Sequence, residues 1–254
     1  MPTSQLSQLS QIIELIALSD PKSILDVGVG FGKYGFLARE YLELWDGRER
    51  YNDWTRRIDG IEAHAEYITP MHRFIYDDVM IGDALKILPT LKSGYDLVLL
   101  IDVLEHFEFE AGRDVLRDCM RCARNVLVSV PRDIGVMESS FDNPHQTHRF
   151  QWEKHHFRSL ADRFFIHNHQ SLICYVGPDA RTIRRKRLNR KARDLTIDLL
   201  TTLHLKKPIK RLLRSRHAII GQTKRRSTGA REQGTRHQGE VIEGEARTLN
   251  KEGR

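Results

Sequence analysis

The sequence predicts an α/β protein: a doubly wound, mostly parallel seven-stranded sheet closed by an antiparallel hairpin, followed by a basic C-terminal extension. Three observations carry this expectation. Apolar, strand-like runs alternate with helix-periodic segments from residue 21 to about 178. Residues 95–101, YDLVLLI, form a near-continuous apolar run, the pattern of a central parallel strand covered on both faces. The run ending at Val27 opens into a glycine-rich turn with a helical segment after it.

Leu6, Leu9, Ile12, Ile13 and Ile16 fall three and four apart, so residues 4–18 read as an amphipathic helix ended by Asp20-Pro21. Ser23–Val27 reads as a short buried strand and Phe36–Leu44 as the helix after the glycine turn. Residues 45–57 interrupt the pattern as an irregular insertion. Further strands are expected at 58–62, 74–81, 95–101 and 126–130, the last stopped by Pro131. A helix or turn is expected at 63–71, and helices at 110–123 and 153–161. Runs at 164–169 and 172–176 form the closing hairpin, with His167 and His169 on one face. His155-His156 caps or decorates a helix. Cys119-x-x-Cys122 lies in a predicted helix without a second pair, so buried thiols are expected there rather than a zinc ribbon.

Of 254 residues, 40% are hydrophobic and 30% charged, which suffices for a core and excludes wholesale disorder. No run reaches the ~18 apolar residues of a transmembrane helix. The first twenty residues hold no Lys or Arg, unlike a secretory signal. Three cysteines cannot build a disulfide framework and suit a reducing, cytoplasmic location. The net charge of +7 is divided: residues 181–254 hold 22 Lys/Arg and 7 Asp/Glu, whereas residues 1–180 hold 19 and 27. The expected organisation is an N-terminal helix at 1–20, an α/β domain at 21–180 and a basic extension at 181–254. That extension has leucine faces at Leu195, Leu199, Leu200 and Leu203, then at Leu212, Leu213, Ile219 and Ile220, and is expected to be disordered from about 221. Its charge suits RNA, an anionic membrane surface or an acidic partner, and equally a solvated tail.

The chemistry-bearing motif is Asp26-Val-Gly28-Val-Gly30-Phe-Gly32. Gly30-x-Gly32-x-x-Gly35 formally satisfies a dinucleotide fingerprint, but a carboxylate at Asp26 would repel phosphates. Other strand ends also carry acids: Glu62, suited to a ribose diol; Asp83-Ala84; and Asp102-Val-Leu-Glu105-His106. This succession, with Val128–Pro131 after it, resembles the class I S-adenosylmethionine (SAM) methyltransferases across residues 21–178. The resemblance implies a Rossmann-like methyltransferase fold, SAM as cofactor, and cofactor contacts from Asp26, Gly28, Gly30, Gly32, Glu62, Asp83, Ala84 and Asp102.

Three readings are open for the cluster at Asp102, Glu105, His106 and, after the fifth strand, His148-Arg-Phe-Gln-Trp152. Glu105 and His106 hold loops. Alternatively, His106 or His148, with Glu105 beside them, acts on an acceptor hydroxyl as general base. In the third reading Asp102, Glu105, His106 and His148 bind a divalent metal. The last arrangement resembles the small-RNA 3′-terminal 2′-O-methyltransferases, except that Asp102 replaces a glutamate. The Asp-Val-Leu-Glu-His and His-Arg-Phe-x-Trp segments also resemble bacterial methyltransferases of glycan and secondary metabolism, which implies a small-molecule or glycan hydroxyl as acceptor. RNA is the alternative acceptor, and a non-catalytic SAM-fold binding module the alternative class. The absence of G-x-S-x-G and G-K-[ST] motifs disfavours serine hydrolases and P-loop enzymes.

Overall fold

A computed structural model describes residues 4–44, 53–135 and 143–203. The elements in chain order are α1 (Leu6–Ser19), β1 (Ser23–Val27), α2 (Lys33–Glu43), β2 (Arg57–Glu62), α3 (Pro70–Ile75), β3 (Asp78–Ile81), α4 (Ala84–Ile87), β4 (Tyr95–Ile101), α5 (Phe109–Cys122), β5 (Ala123–Pro131), β6 (Arg163–Ile166), β7 (Ser171–Val176) and α6 (Ala180–Thr202). They form a seven-stranded sheet in the order β3-β2-β1-β4-β5-β7-β6. β1 to β5 are parallel, and β7 runs antiparallel to both β5 and β6. The order reverses between β1 and β4, and ligands of open α/β sheets bind outside the carboxyl ends of the strands at such a point.

Side chains of a strand alternate between faces, and β4 shows how both are covered. Leu97 and Leu99 pack with Ile12, Ile16, Ala38 and Ile183 on one face; Val98 and Leu100 pack with Val115, Leu116, Trp152 and Phe157 on the other. Each such burial contributes about 1.5–3 kcal/mol. The three cysteines are free thiols in this core.

α1 is tied to the far end of the chain. Asn168 donates to the Ser7 carbonyl and to Gln11 Oε1, both at 3.0 Å, and Ser19 Oγ lies 3.0 Å from the Tyr175 hydroxyl. Arg187 of α6 donates to Glu14 at 2.8 Å.

Several expectations need correction. The strand expected at 74–81 begins only at Asp78, because Thr69-Pro70 starts a helix that takes Phe74 and Ile75; the Thr69 amide donates to His72 Nδ1 at 3.0 Å and caps it. The helix expected at 153–161 is a single 3₁₀ turn, Lys154–Phe157, held by the buried Trp152 before it and by its own buried Phe157. β6 stops at Ile166, since the Asn168 side chain accepts from the Gln170 and Ser171 amides and turns the chain; His167 and His169 therefore flank a turn. The expected boundary at 180 cuts through core: Ala180, Ile183 and Arg187 of α6 are buried.

The chain divides into two compact units, Met1–Lys191 and Ala192–Arg254. In the second, Leu195, Leu199 and Leu203 are exposed. Residues 45–52 of the expected insertion lie outside the described residues. So do Leu212, Leu213, Ile219, Ile220 and everything from 221. Among the described residues, no helix is long and apolar enough to cross a membrane.

Candidate active site

A cavity of about 630 Å³ opens at the carboxyl ends of the strands. The β1–α2 turn forms one wall. Gly28 has φ 77 and Gly30 φ 53, a region disfavoured for residues with a Cβ. A Cβ on Gly28 would also lie 2.6 Å from Val103 Cγ2, so the turn closes directly onto the loop after β4. At Gly30 a Cβ would meet nothing within 4 Å, leaving open space over the backbone.

The Gly30 residue is clamped from two sides. Its amide donates to Glu62 Oε2 at 2.8 Å. Its carbonyl lies 2.8 Å from Nε2 of the fully buried His72. Because the Thr69 amide donates to Nδ1 of that ring, the proton sits on Nε2 and is donated to Gly30. Glu62 also accepts from the His64 amide at 2.9 Å through Oε1, and Asp83 accepts from the Leu85 amide at 2.9 Å, capping α4. Glu62, Asp83 and Ala84 line the cavity beside Gly28 and Gly30.

Asp26 and Gly32 stand differently from expectation: neither lines the cavity. Asp26 is buried beneath the turn, where the Tyr76 hydroxyl donates to Oδ2 at 2.7 Å. Gly35 makes this possible, since a Cβ there would lie 2.3 Å from the Tyr76 ring. Burial, and then the nearby Glu62 charge, push the Asp26 carboxyl up to about 7, against the Tyr76 and Gly35 hydrogen bonds. Asp26 supports the glycine turn from below. Gly32 sits behind it as the left-handed residue before α2.

The opposite wall joins the loops after β4 and β5. The Arg149 amide donates to the Glu105 carbonyl at 2.7 Å, and Trp152 Nε1 to the Leu104 carbonyl at 3.0 Å. Gly112 leaves room for that indole, as a Cβ there would lie 2.6 Å from its ring. This docking brings His106 and His148 together, with ring centroids 5.1 Å apart. Both line the cavity with Glu105. His106 Nδ1 faces the Thr147 carbonyl at 3.2 Å, and His148 Nδ1 the Ile134 carbonyl at 2.6 Å, which leaves each Nε2 for a ligand. One ligand atom from each of Glu105, His106 and His148 falls within 4.8 Å of the others. Glu105 Oε2 is buried without a partner, and burial, then the Asp102 charge, hold its carboxyl well above the usual range. Burial lowers His106 to about 4. An orphaned buried carboxylate beside two oriented imidazoles fits a divalent cation. Asp102, expected as a fourth ligand, is not in this group; it accepts from Gln8 Nε2 at 2.6 Å and lines the cavity nearer α1.

Gln8, Lys33, Tyr34 and His72 are absent from the sequence expectation. Lys33 and Tyr34 follow the glycine motif directly, a signal that position alone offered; Gln8 and His72 act across 94 and 42 residues, and no local pattern marks them.

No protein-family model matches the chain, and no curated protein matches it. Solved structures similar to it include WbdD at 2.2 Å resolution (15% identity, TM-score 0.48), where the match covers 69% of this chain and 41% of WbdD. The N-terminal domain of EvdMO1, crystallised in the presence of SAH and D-fucose, is 13% identical with TM-score 0.48, over 69% of this chain and 84% of that one. The methyltransferase domain of bacterial CtHen1-C is 15% identical with TM-score 0.45, over 67% and 97%. The chain thus spans less than half the length of WbdD.

Proposed function

We propose that this chain is a SAM-dependent methyltransferase acting on a hydroxyl of a small-molecule or glycan acceptor. The observation that supports the reading is that one cavity is lined by residues suited to both halves of such a site. Its first wall offers an open glycine backbone, the Glu62 carboxylate for a ribose diol, and Asp83-Ala84 at the third strand end. Its second offers His106 and His148. Bound SAM supplies a methyl group already activated on a sulfonium. The chain's own task is alignment: Glu62 and the Gly30 clamp fix one partner, while the His106–His148 wall orients the acceptor hydroxyl. His106, at about 4, is neutral near pH 7 and a weak base, so its neutral Nε2 serves as an acceptor rather than as a strong proton abstractor. Intact Glu62 and Asp83 speak against a module that has lost its cofactor.

Calorimetry tests the reading. S-adenosylhomocysteine (SAH) is expected to bind in the micromolar range, about −8 kcal/mol, and NAD not at all. NAD binding without SAH binding overturns it.

A second reading, a metal-dependent RNA 2′-O-methyltransferase, is favoured by the orphaned Glu105 Oε2 beside two oriented histidines. Glu105, His106 and His148 would hold the cation, which supplies Lewis acidity to a coordinated hydroxyl. The basic residues beyond 181 suit an anionic partner in either reading.

A further inference from the structure

α6 has two unlike faces. Ala180, Ile183 and Arg187 are buried, the first two within the apolar core. By helical spacing another face carries Leu188, Leu195 and Leu199; Leu203 continues it, its amide donating to the Leu199 carbonyl at 3.0 Å. These four leucines are 55%, 69%, 60% and 58% exposed in chain order. Single exposed leucines are ordinary on a protein surface, but four in one stripe are not scattered. They stay in contact with water until something covers them.

The same face is cationic. Arg184 stands four residues before Leu188 and Arg185 three. Lys191 stands three after Leu188 and four before Leu195, so each cation is a surface neighbour of the stripe. All three are exposed, and none has an ion-pair partner among the described residues. Arg181, seven residues before Leu188, is exposed as well and lies 3.3 Å from Asp162. The acids Asp194 and Asp198 fall more than a quarter turn around the helix from Leu199. Beyond Leu203 the sequence keeps this composition, with Lys206, Lys207, Lys210 and Arg211 among Leu205, Leu212 and Leu213.

Charge and apolarity together select the occupant. A second copy of the helix would cover the leucines but set Arg184, Arg185 and Lys191 against their own counterparts. RNA would meet the cations and leave the leucines in water. An anionic bilayer surface meets both: headgroup phosphates take the cations, and the leucines enter the boundary with the acyl chains.

We propose that this face of α6 docks on an anionic lipid surface, with Leu188, Leu195, Leu199 and Leu203 inserted and Arg184, Arg185 and Lys191 at headgroup level. The helix lies on the bilayer; among the described residues no helix is long and apolar enough to cross one. None of these residues lines the cavity, so the docking surface stands independently of the methyltransferase reading.

The test is co-sedimentation of the full chain with vesicles of phosphatidylcholine alone, or of equal parts phosphatidylcholine and phosphatidylglycerol. The chain is expected to bind the mixed vesicles roughly tenfold or more tightly than phosphatidylcholine, and less as salt rises. Leu195→Gln with Leu199→Gln, and separately Arg184→Gln with Arg185→Gln and Lys191→Gln, are each expected to weaken binding to the mixed vesicles roughly tenfold or more. Urea midpoints equal to that of the wild type show that the variants fold. If the double leucine variant does not fold, Leu199→Gln alone decides, with an expected loss of several-fold. Three results overturn the proposal: no wild-type binding to the mixed vesicles, whether or not single-stranded RNA is bound; full binding by the leucine variant; or sedimentation as a dimer that the leucine variant separates.

Discussion

Replacing Asp26 by asparagine is expected to make the protein more stable from mild acid to mild alkali, and to change little only below about pH 4. Asp26 is 2% exposed, and burial followed by the Glu62 charge pushes its carboxyl from 3.8 up to about 7. As pH rises from about 4, the unfolded chain releases this proton while the folded protein keeps it. Stability therefore falls across that window and levels off above about 7. The span from 3.8 to about 7 corresponds to about 4 kcal/mol. Asparagine cannot ionise, yet its Oδ1 still accepts from the Tyr76 hydroxyl, so the packing under the glycine turn is kept. Urea denaturation of both proteins between about pH 5 and about pH 8 measures the difference. The variant is expected to gain on the wild type as pH rises, reaching up to about 4 kcal/mol. Parallel profiles, or a variant that is less stable above pH 7, would refute an uncomfortable, ionised Asp26.

Two further outcomes follow from the cavity and from α6. Glu105→Ala and His148→Ala are each expected to abolish Mn²⁺ binding measured by electron paramagnetic resonance, while Asp102→Ala keeps it; activity that survives exhaustive chelation removes the metal reading. Ile183→Ala is expected to cost about 2–5 kcal/mol in denaturant titration, and Leu199→Ala within about 0.5 kcal/mol, because Ile183 is buried and Leu199 is 60% exposed. Equal costs would mean that α6 is not divided between core and surface in this way.

β1 and β4 were legible to the residue, because five- and seven-residue apolar runs bounded by turn signals have few other ways to be buried. The strand-end position of Asp102 followed from the second of those runs, and Glu62 and Asp83 from the ends of the runs expected at 58–62 and 74–81, since parallel strands end on one side. α6 was harder. Its first turns look like a solvated basic run, and only Ala180, Ile183 and Arg187 face the core, the last balanced by Glu14 at a distance of 173 residues in sequence. The burial of Asp26 was not legible for a similar reason: the motif places it at the strand end, but its cover is Tyr76, fifty residues on. The withdrawal of Asp102 from the histidine cluster depends on Gln8, which local periodicity marks only as a polar residue on an amphipathic helix.

The attachment of α1 to Asn168 and Tyr175 bears on how the chain is made. During synthesis its helix precedes the groups that hold it by about 160 residues, on the order of 10–30 seconds at usual synthesis rates. β7 arrives late as well, and until then the β5 edge beside it has unpaired backbone groups. A nascent chain lacking β7 therefore shows both a strand edge and the Ile12, Leu15 and Ile16 face of α1 to solvent or to a holding chaperone. Gln8 can take its place beside Asp102 and Ser129 only once chain made 94 and 121 residues later has folded.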